Sequence, residues 1–314
     1  MYPPEAWEVD VRPTMMIQDH FYTETRYGTH IESYLHIRLT ELCNSNCTFC
    51  STMFTRASRR VLPYDYIKDL IDHHANKGVI LEVGGAEPTI HPHFMDVLSY
   101  ANGKFKETAI ISNARAFHSK RMVEKLKAIP NLSIKASLHG HTAQIQDALT
   151  MARGSFDQAV EGFRNLIEAN IPVAVNMVIT RLNKDHLQDI AKLLWSLGIR
   201  KIYVSGLMLS GDTRIDQQHA VRYADMRVPL AHLLDFTEEK KMTVLLEKLP
   251  VCVAPSHKEM FLLESNPPNF IKVDQCGQCI HNKECMGINK DYLKQGYSAD
   301  VIPILREASI VLNA

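Results

Sequence analysis

The chain has 314 residues, 46% of them hydrophobic and 22% charged, a makeup that suits one large α/β domain, alone or with a small appendage. Thirty-five basic side chains balance 35 acidic ones, which argues against a basic nucleic-acid footprint and an acidic solvating tail. No stretch approaches the roughly 18 apolar residues that a membrane helix requires. Residues 1–10 hold two prolines, two glutamates and an aspartate where a signal peptide places basic and then apolar residues. The expectation is a soluble, cytoplasmic protein with no nucleic-acid or membrane partner.

Apolar periodicity alternates between strand and helix patterns along the chain. Residues 34–39 (YLHIRL) predict the first strand, and Pro63 opens a helical stretch through Tyr66, Leu70 and Ile71. Residues 79–83 predict a second strand, 94–102 a helix, 108–112 a third strand, 122–128 a helix and 132–138 a fourth strand. Phe156, Val160, Phe163 and Ile167 then recur on one stripe of a helix. Residues 173–179 predict a fifth strand; Asp185 is placed to cap a helix through Leu187, Ile190, Leu194 and Leu197, with Gly198 as its stop. Residues 201–206 predict a sixth strand and 228–240 a further helix.

Six β-α units in alternation predict an α/β fold with a parallel sheet covered by helices on its outer side. Periodicity leaves two forms open, a doubly wound sheet and a partial barrel. Both place the active site at the C-terminal ends of the strands. From about Pro250 the alternation stops, and Asn266-Pro267-Pro268 leads into a cysteine-rich stretch that predicts a loop-dominated module held by metal. The expected organisation is an N-terminal extension over 1–33, a barrel-like domain over 34–249 and the module over 250–314.

Seven cysteines fall in two groups, Cys43, Cys47 and Cys50 after the first expected strand and Cys252, Cys276, Cys279 and Cys285 near the end. An odd number without an export signal argues against a disulfide framework. Soft thiolates grouped this way suit iron–sulfur clusters, Zn²⁺ or Cu(I). Three ligands on a four-iron cluster leave one iron open.

The run Cys43-Asn-Ser-Asn-Cys47-Thr-Phe-Cys50 resembles the CxxxCxxC motif of the radical S-adenosylmethionine (SAM) enzymes, with the aromatic Phe49 before the last cysteine. Gly84-Gly85-Ala86-Glu87-Pro88-Thr89 resembles that family's GGEP motif, with Ala86 in place of its second glycine. Ile111-Ser112-Asn113, Ser137 and Asn176 fall where relatives contact SAM. The resemblance covers roughly residues 34–206. It implies a partial (βα)6 barrel in which Cys43, Cys47 and Cys50 hold a [4Fe–4S] cluster. Phe49, Gly85, Glu87, Ser112, Asn113, Ser137 and Asn176 then surround SAM, which chelates the open iron. One electron from a flavodoxin- or ferredoxin-like donor cleaves SAM to a 5′-deoxyadenosyl radical, and the radical abstracts a substrate hydrogen.

Cys276-Gly-Gln-Cys279, with Cys285 beyond it, resembles the auxiliary-cluster segments called SPASM or twitch domains. Three readings of Cys252 stand at this point. It completes a second, auxiliary [4Fe–4S] cluster, which favours oxidation or cross-linking of a peptide or small-molecule substrate. It completes a Cys₄ zinc site. Or it is the free thiol of an epimerase, returning a hydrogen atom to a sugar, aminocyclitol or peptide residue. A non-catalytic zinc or iron–sulfur protein is the remaining class. Only 33 residues precede the first expected strand, too few for a fused winged-helix peptide-recognition domain, so a peptide substrate would need a separate recognition protein. Among the histidines, His91 and His93 are expected to be surface or loop residues. His139 and His141 are expected near the mouth of the site, with Asp147 either beside them or capping the next helix.

Overall fold

The computed structural model describes residues 19–27, 30–50, 58–209, 218–262, 269–294, 296 and 300–305. Residues 1–18 and the Asn266-Pro267-Pro268 segment lie outside the described residues. Eight strands form one sheet: β1 (His20–Tyr27), β2 (His30–Thr40), β3 (Ile80–Gly85), β4 (Glu107–Ser112), β5 (Leu132–Ser137), β6 (Val173–Val178), β7 (Lys201–Ser205) and β8 (Thr243–Glu247). The β1–β2 pair is antiparallel and every later pair is parallel. A doubly wound sheet reverses its strand order at a switch point. Here the order runs from β1 to β8 without reversal or closure, and the sheet is a half-barrel.

The crossovers hold seven helices among the described residues: α1 (Tyr64–His74), α2 (Phe94–Ala101), α3 (Lys120–Lys127), α4 (Ala143–Thr150), α5 (Ser155–Glu168), α6 (Leu187–Ser196) and α7 (Tyr223–Glu239). Strand alternation divides the two faces of the sheet. In β5, Leu132, Ile134 and Ala136 are buried in the core, while Ser133, Lys135 and Ser137 are only half-buried. The latter three occupy the other, concave face, since successive side chains of a strand point to opposite sides. In α5, Val160 and Phe163 are buried as the stripe predicts, with Phe156 and Ile167 at its margins. Gly198 takes φ +90° beyond the end of α6, a left-handed turn that glycine adopts without strain.

Three elements were not expected. Strand β1 lies inside the predicted N-terminal extension, where the polar sequence HFYTETRY of an edge strand carries little apolar signal. Strand β8 is five residues long and follows α7 after a short turn. Helix α4 buries Gln146, Leu149 and Thr150, too thin an apolar stripe to stand out. Asp185 does not cap α6. It bonds Lys184 within a 3-10 turn, and His186 is the cap residue, without a side-chain bond.

Among the described residues beyond β8 the chain is loop-dominated, with a two-residue strand pair, β9 (Phe270–Ile271) and β10 (Ile288–Asn289), and one short α-helix, α8 (Lys290–Lys294). Two arginines tie this segment to α7. Arg222 pairs with the buried Asp300, 2.6 Å from Oδ1 and 3.1 Å from Oδ2. Arg227 donates to the carbonyls of Asp300 at 2.8 Å and Cys252 at 3.4 Å.

Candidate active site

The Cys43–Cys50 loop follows β2 and is held from two sides. The Asn46 and Thr48 N–H groups donate to Thr150 O at 2.8 Å and Leu149 O at 3.0 Å. These carbonyls end α4, where a helix leaves acceptors without internal partners, so the unexpected helix is the platform for the loop. On the other side, Arg115 donates to Ser45 Oγ at 3.2 Å, to Asn44 O and to Gln158 Oε1 at 2.7 Å. Asn113 Nδ2 donates to Asn44 Oδ1 at 2.6 Å and lies 3.8 Å from Cys43 Sγ, which also accepts from Ser45 N at 3.4 Å.

A cavity of about 220 Å³ opens at the C-terminal ends of the strands. Cys43, Cys47, Cys50 and Phe49 line it together with Ser112, Asn113, Ser137 and Asn176. Ser137 and Asn176 are direct register partners on β5 and β6. Gly85 and Glu87 are not on the wall; Ala86 is. Gly85 has φ +121°, and a Cβ there would come 2.4 Å from Thr40 O. Its need for glycine is the close passage of β2.

Glu87 is fully buried and acts as a brace. Its Oε1 accepts from Thr89 Oγ1 at 2.6 Å, Ser112 Oγ at 2.9 Å and Thr89 N at 3.2 Å, and Oε2 accepts from Asn113 N at 2.7 Å. Burial raises its pKa against the pull of these bonds. The carboxyl group thereby fixes the turn after β3 to the end of β4. Glu87→Ala leaves several buried donors without acceptors and is expected to cost about 3 kcal/mol in a urea titration. SAM affinity of the same protein is expected to fall, because Ala86, Ser112 and Asn113 on the cavity wall lose their anchor. An unchanged urea midpoint would show that the brace is not needed.

His139 lines the cavity and is buried, with its ring edge-on to Phe49 at 4.9 Å. Its Nδ1 accepts from Val178 N at 3.2 Å, which leaves the proton on Nε2. Burial lowers its pKa from 6.5 to about 4. At the end of β7, also on the cavity wall, the Ser205 hydroxyl lies 2.5 Å from Glu247 Oε1 and 2.7 Å from Asn176 Oδ1. Burial alone would raise Glu247, but Lys135, Lys248 and the Ser205 hydroxyl hold it at about 2. Both shifts make the fold acid-sensitive. His139 binds its proton less readily folded than unfolded, so stability falls as pH drops from 6.5 towards 4. Glu247 contributes stability above pH 4.5 that is lost as pH falls towards 2. Each is worth about 3 kcal/mol across its window. Denaturant unfolding at pH 7, 5.5 and 4.5 is expected to show the first loss, and His139→Gln is expected to flatten it.

The four later cysteines share a second, smaller cavity. Cys252, Cys276, Cys279 and Cys285 all line it, beside Val251, Gly287 and Ile302. Cys285 Sγ accepts from Gly287 N at 3.3 Å and Val251 N at 3.5 Å. Burial, reinforced by Cys285, raises the Cys252 thiol to about 11. Cys252 does not line the first cavity.

The model of the radical SAM superfamily matches residues 37–194, half of the chain, running from within β2 to within α6 and supplying most of the wall of the first cavity. The chain belongs to the radical SAM superfamily. Its cofactors as a member of that superfamily are a [4Fe–4S] cluster and SAM. It is 31% identical over 157 residues to the mycofactocin maturase MftC of Mycolicibacterium smegmatis, covering 49% of this chain and 40% of that protein. It is 28% identical over 167 residues to the sporulation killing factor maturation protein SkfB of Bacillus subtilis, covering 52% of this chain and 40% of that one. The chain thus spans about 40% of the length of these curated relatives. Among solved structures, Streptococcus suis SuiB bound to its precursor peptide SuiA superposes with a TM-score of 0.58 at 18% identity, over 67% of this chain and 47% of that one. This last likeness is one of fold.

Within this radical SAM half-barrel, His141 and His91 lie elsewhere than expected, while His93, exposed, and Asp147, a helix cap, lie as expected. His141 does not line the cavity; its ring lies 4.9 Å from that of His186. His91 is buried, donating from Nε2 to Leu62 O at 2.9 Å and accepting from His93 N at 3.1 Å. His93 pairs with Asp96. Asp147 caps α5, accepting from Gly154 N, Ser155 Oγ and Phe156 N at 2.6, 2.8 and 3.0 Å. Sequence reasoning missed Arg115, Ser205 and Lys248 on the wall of the radical SAM cavity. Arg115, two residues after Asn113, carried a usable signal, since turns at strand ends build such sites. No helix among the described residues is long and apolar enough to cross a membrane.

Proposed function

We propose that this radical SAM chain is a peptide maturase that abstracts a hydrogen from an unactivated C–H bond and yields an oxidised or cross-linked side chain. The observation that carries the reading is the partition of the seven cysteines. Three share the large cavity with the strand-end polar groups, and four share the small one. In this reading Cys43, Cys47 and Cys50 hold the SAM-binding [4Fe–4S] cluster, while Cys252, Cys276, Cys279 and Cys285 hold an auxiliary one in a module over 250–314. When bound, the cluster and SAM supply reductive cleavage to a 5′-deoxyadenosyl radical, with the electron delivered by a flavodoxin- or ferredoxin-like protein.

The donor sets fit these groups. Among the described residues, the group of three ligand atoms close enough for a single metal ion lies elsewhere, at His141, His186 and Asp189. Neither cysteine set is drawn that tightly, and a four-iron cluster asks each thiolate to meet a different iron. This supports clusters over mononuclear zinc. Asn113 orients Cys43 and the cysteine loop, while Ser112, Ser137 and Asn176 offer polar groups to SAM. Phe49 and the neutral His139 give that cavity an aromatic wall. The position of Cys252 on the wall of the other cavity supports its reading as a ligand over that of an epimerase's hydrogen donor. The peptide reading draws on MftC and SkfB, both named as maturation proteins.

The anaerobically reconstituted chain is expected to bind about eight irons and to release 5′-deoxyadenosine on reduction. Mass spectrometry is expected to show a substrate peptide losing a pair of hydrogen atoms. Stoichiometric zinc with about four irons would defeat the auxiliary-cluster reading. A product of unchanged mass that takes up one deuterium from D₂O would defeat oxidation in favour of epimerisation.

A further inference from the structure

We propose that His141, His186 and Asp189 form a site for one divalent transition-metal ion of the zinc class, separate from both cysteine sites. Their ligand atoms all lie within 4.8 Å of one another. His141 Nδ1 is buried and makes no hydrogen bond, a ring nitrogen shielded from water with no acceptor or donor to satisfy it. The His141 and His186 rings are tilted by 38° across the gap. His186 and Asp189 stand three residues apart at the start of α6, a spacing that sets two side chains on one helix face.

The two segments that carry these ligands are already locked together. His141 lies in the loop between β5 and α4, and His186 lies between β6 and α6. Asn183, fully buried, joins them: its Nδ2 donates to His139 O at 2.8 Å and Val178 O at 2.9 Å, and its Oδ1 accepts from Thr180 N at 2.7 Å. Gly140 lies so close to α4 that a Cβ would meet Gln146 N at 2.6 Å. The backbone is therefore set before any ion arrives.

Tetrahedral zinc with nitrogen and oxygen ligands wants those atoms about 3.4 Å apart. Rotation of His186 and Asp189, whose side chains are 40% and 45% exposed, closes the difference. Lys192 lies 3.5 Å from Asp189 and keeps Gln188 as a partner at 3.0 Å when the carboxylate turns to the ion. Three protein ligands leave a fourth position for water. An ion there clamps two loops at the catalytic end of the half-barrel, and His139 on one of them and Val178, the strand residue from which the other departs, line the large cavity.

The test is an anaerobic Zn²⁺ titration of the cluster-reconstituted full chain against a chromophoric chelator, with iron counted in the same samples. One zinc per chain is expected beyond the iron. His186→Ala is expected to lose it and Asp189→Asn to weaken it about tenfold, both with unchanged iron. Added zinc is expected to raise the thermal midpoint of the parent chain and not that of His186→Ala. Both residues are half-exposed, so the variants keep the fold. No zinc in the parent chain, or equal zinc uptake in the parent and His186→Ala, overturns the proposal.

Discussion

Cys47→Ala is expected to abolish formation of 5′-deoxyadenosine from SAM under reducing conditions, while about four irons remain at the other cysteine set. The loop that carries Cys47 is held by Asn46 and Thr48 on the end of α4 and by Arg115 on the far side. Its shape therefore does not depend on the thiol, and the variant loses a ligand without losing the cavity. With two thiolates left in the loop, a four-iron cluster has too few anchors to persist. Electron transfer into SAM is then cut off at its source. The measurement is product release after reduction, with iron counted and the protein's folded content followed by circular dichroism. Normal product formation in a folded Cys47→Ala protein would remove the three-cysteine loop from the chemistry.

Much of this architecture is written in local pattern. The loop cysteines are close in sequence, and a strand precedes them, so their meeting place is readable from spacing alone. Ser112, Ser137 and Asn176 are readable for the same reason, as each ends or lies within a predicted strand and the catalytic end of a parallel sheet gathers strand ends. Glu87 shows where that reasoning stops. Its position in the GGAEPT segment is apparent, but its contacts with Ser112 and Asn113 come from the end of the neighbouring strand, and they make it a buried brace. The trio of His141, His186 and Asp189 joins two loops 45 residues apart in sequence, and nothing in either loop announces the other. Helix α4 was hidden because its buried face includes Gln146 and Thr150. Both are satisfied polar residues: Gln146 accepts from His139 N, and Thr150 donates to the helix backbone.

Cys252→Ala is expected to lower bound iron from about eight to about four per chain and to loosen the segment that follows β8. Cys252 lies on the same cavity wall as Cys276, Cys279 and Cys285. Its carbonyl accepts from Arg227, which also reaches Asp300. The residue thus stands where the half-barrel and the later cysteines meet. Without metal its thiol is held protonated by burial, with a pKa of about 11, and binding of a cluster displaces that proton. Alanine removes both the ligand and the coupling of metal binding to folding in a segment with little regular structure. The Cys43, Cys47 and Cys50 cavity does not include this residue, so the variant is expected to cleave SAM while failing to complete oxidation of a peptide. A hydrogen-donor role makes the opposite forecast: full iron, SAM cleavage intact, and a substrate radical that cannot be quenched from its far face. Iron analysis of the purified variant beside its 5′-deoxyadenosine yield separates the two, and full iron content would overturn the ligand assignment.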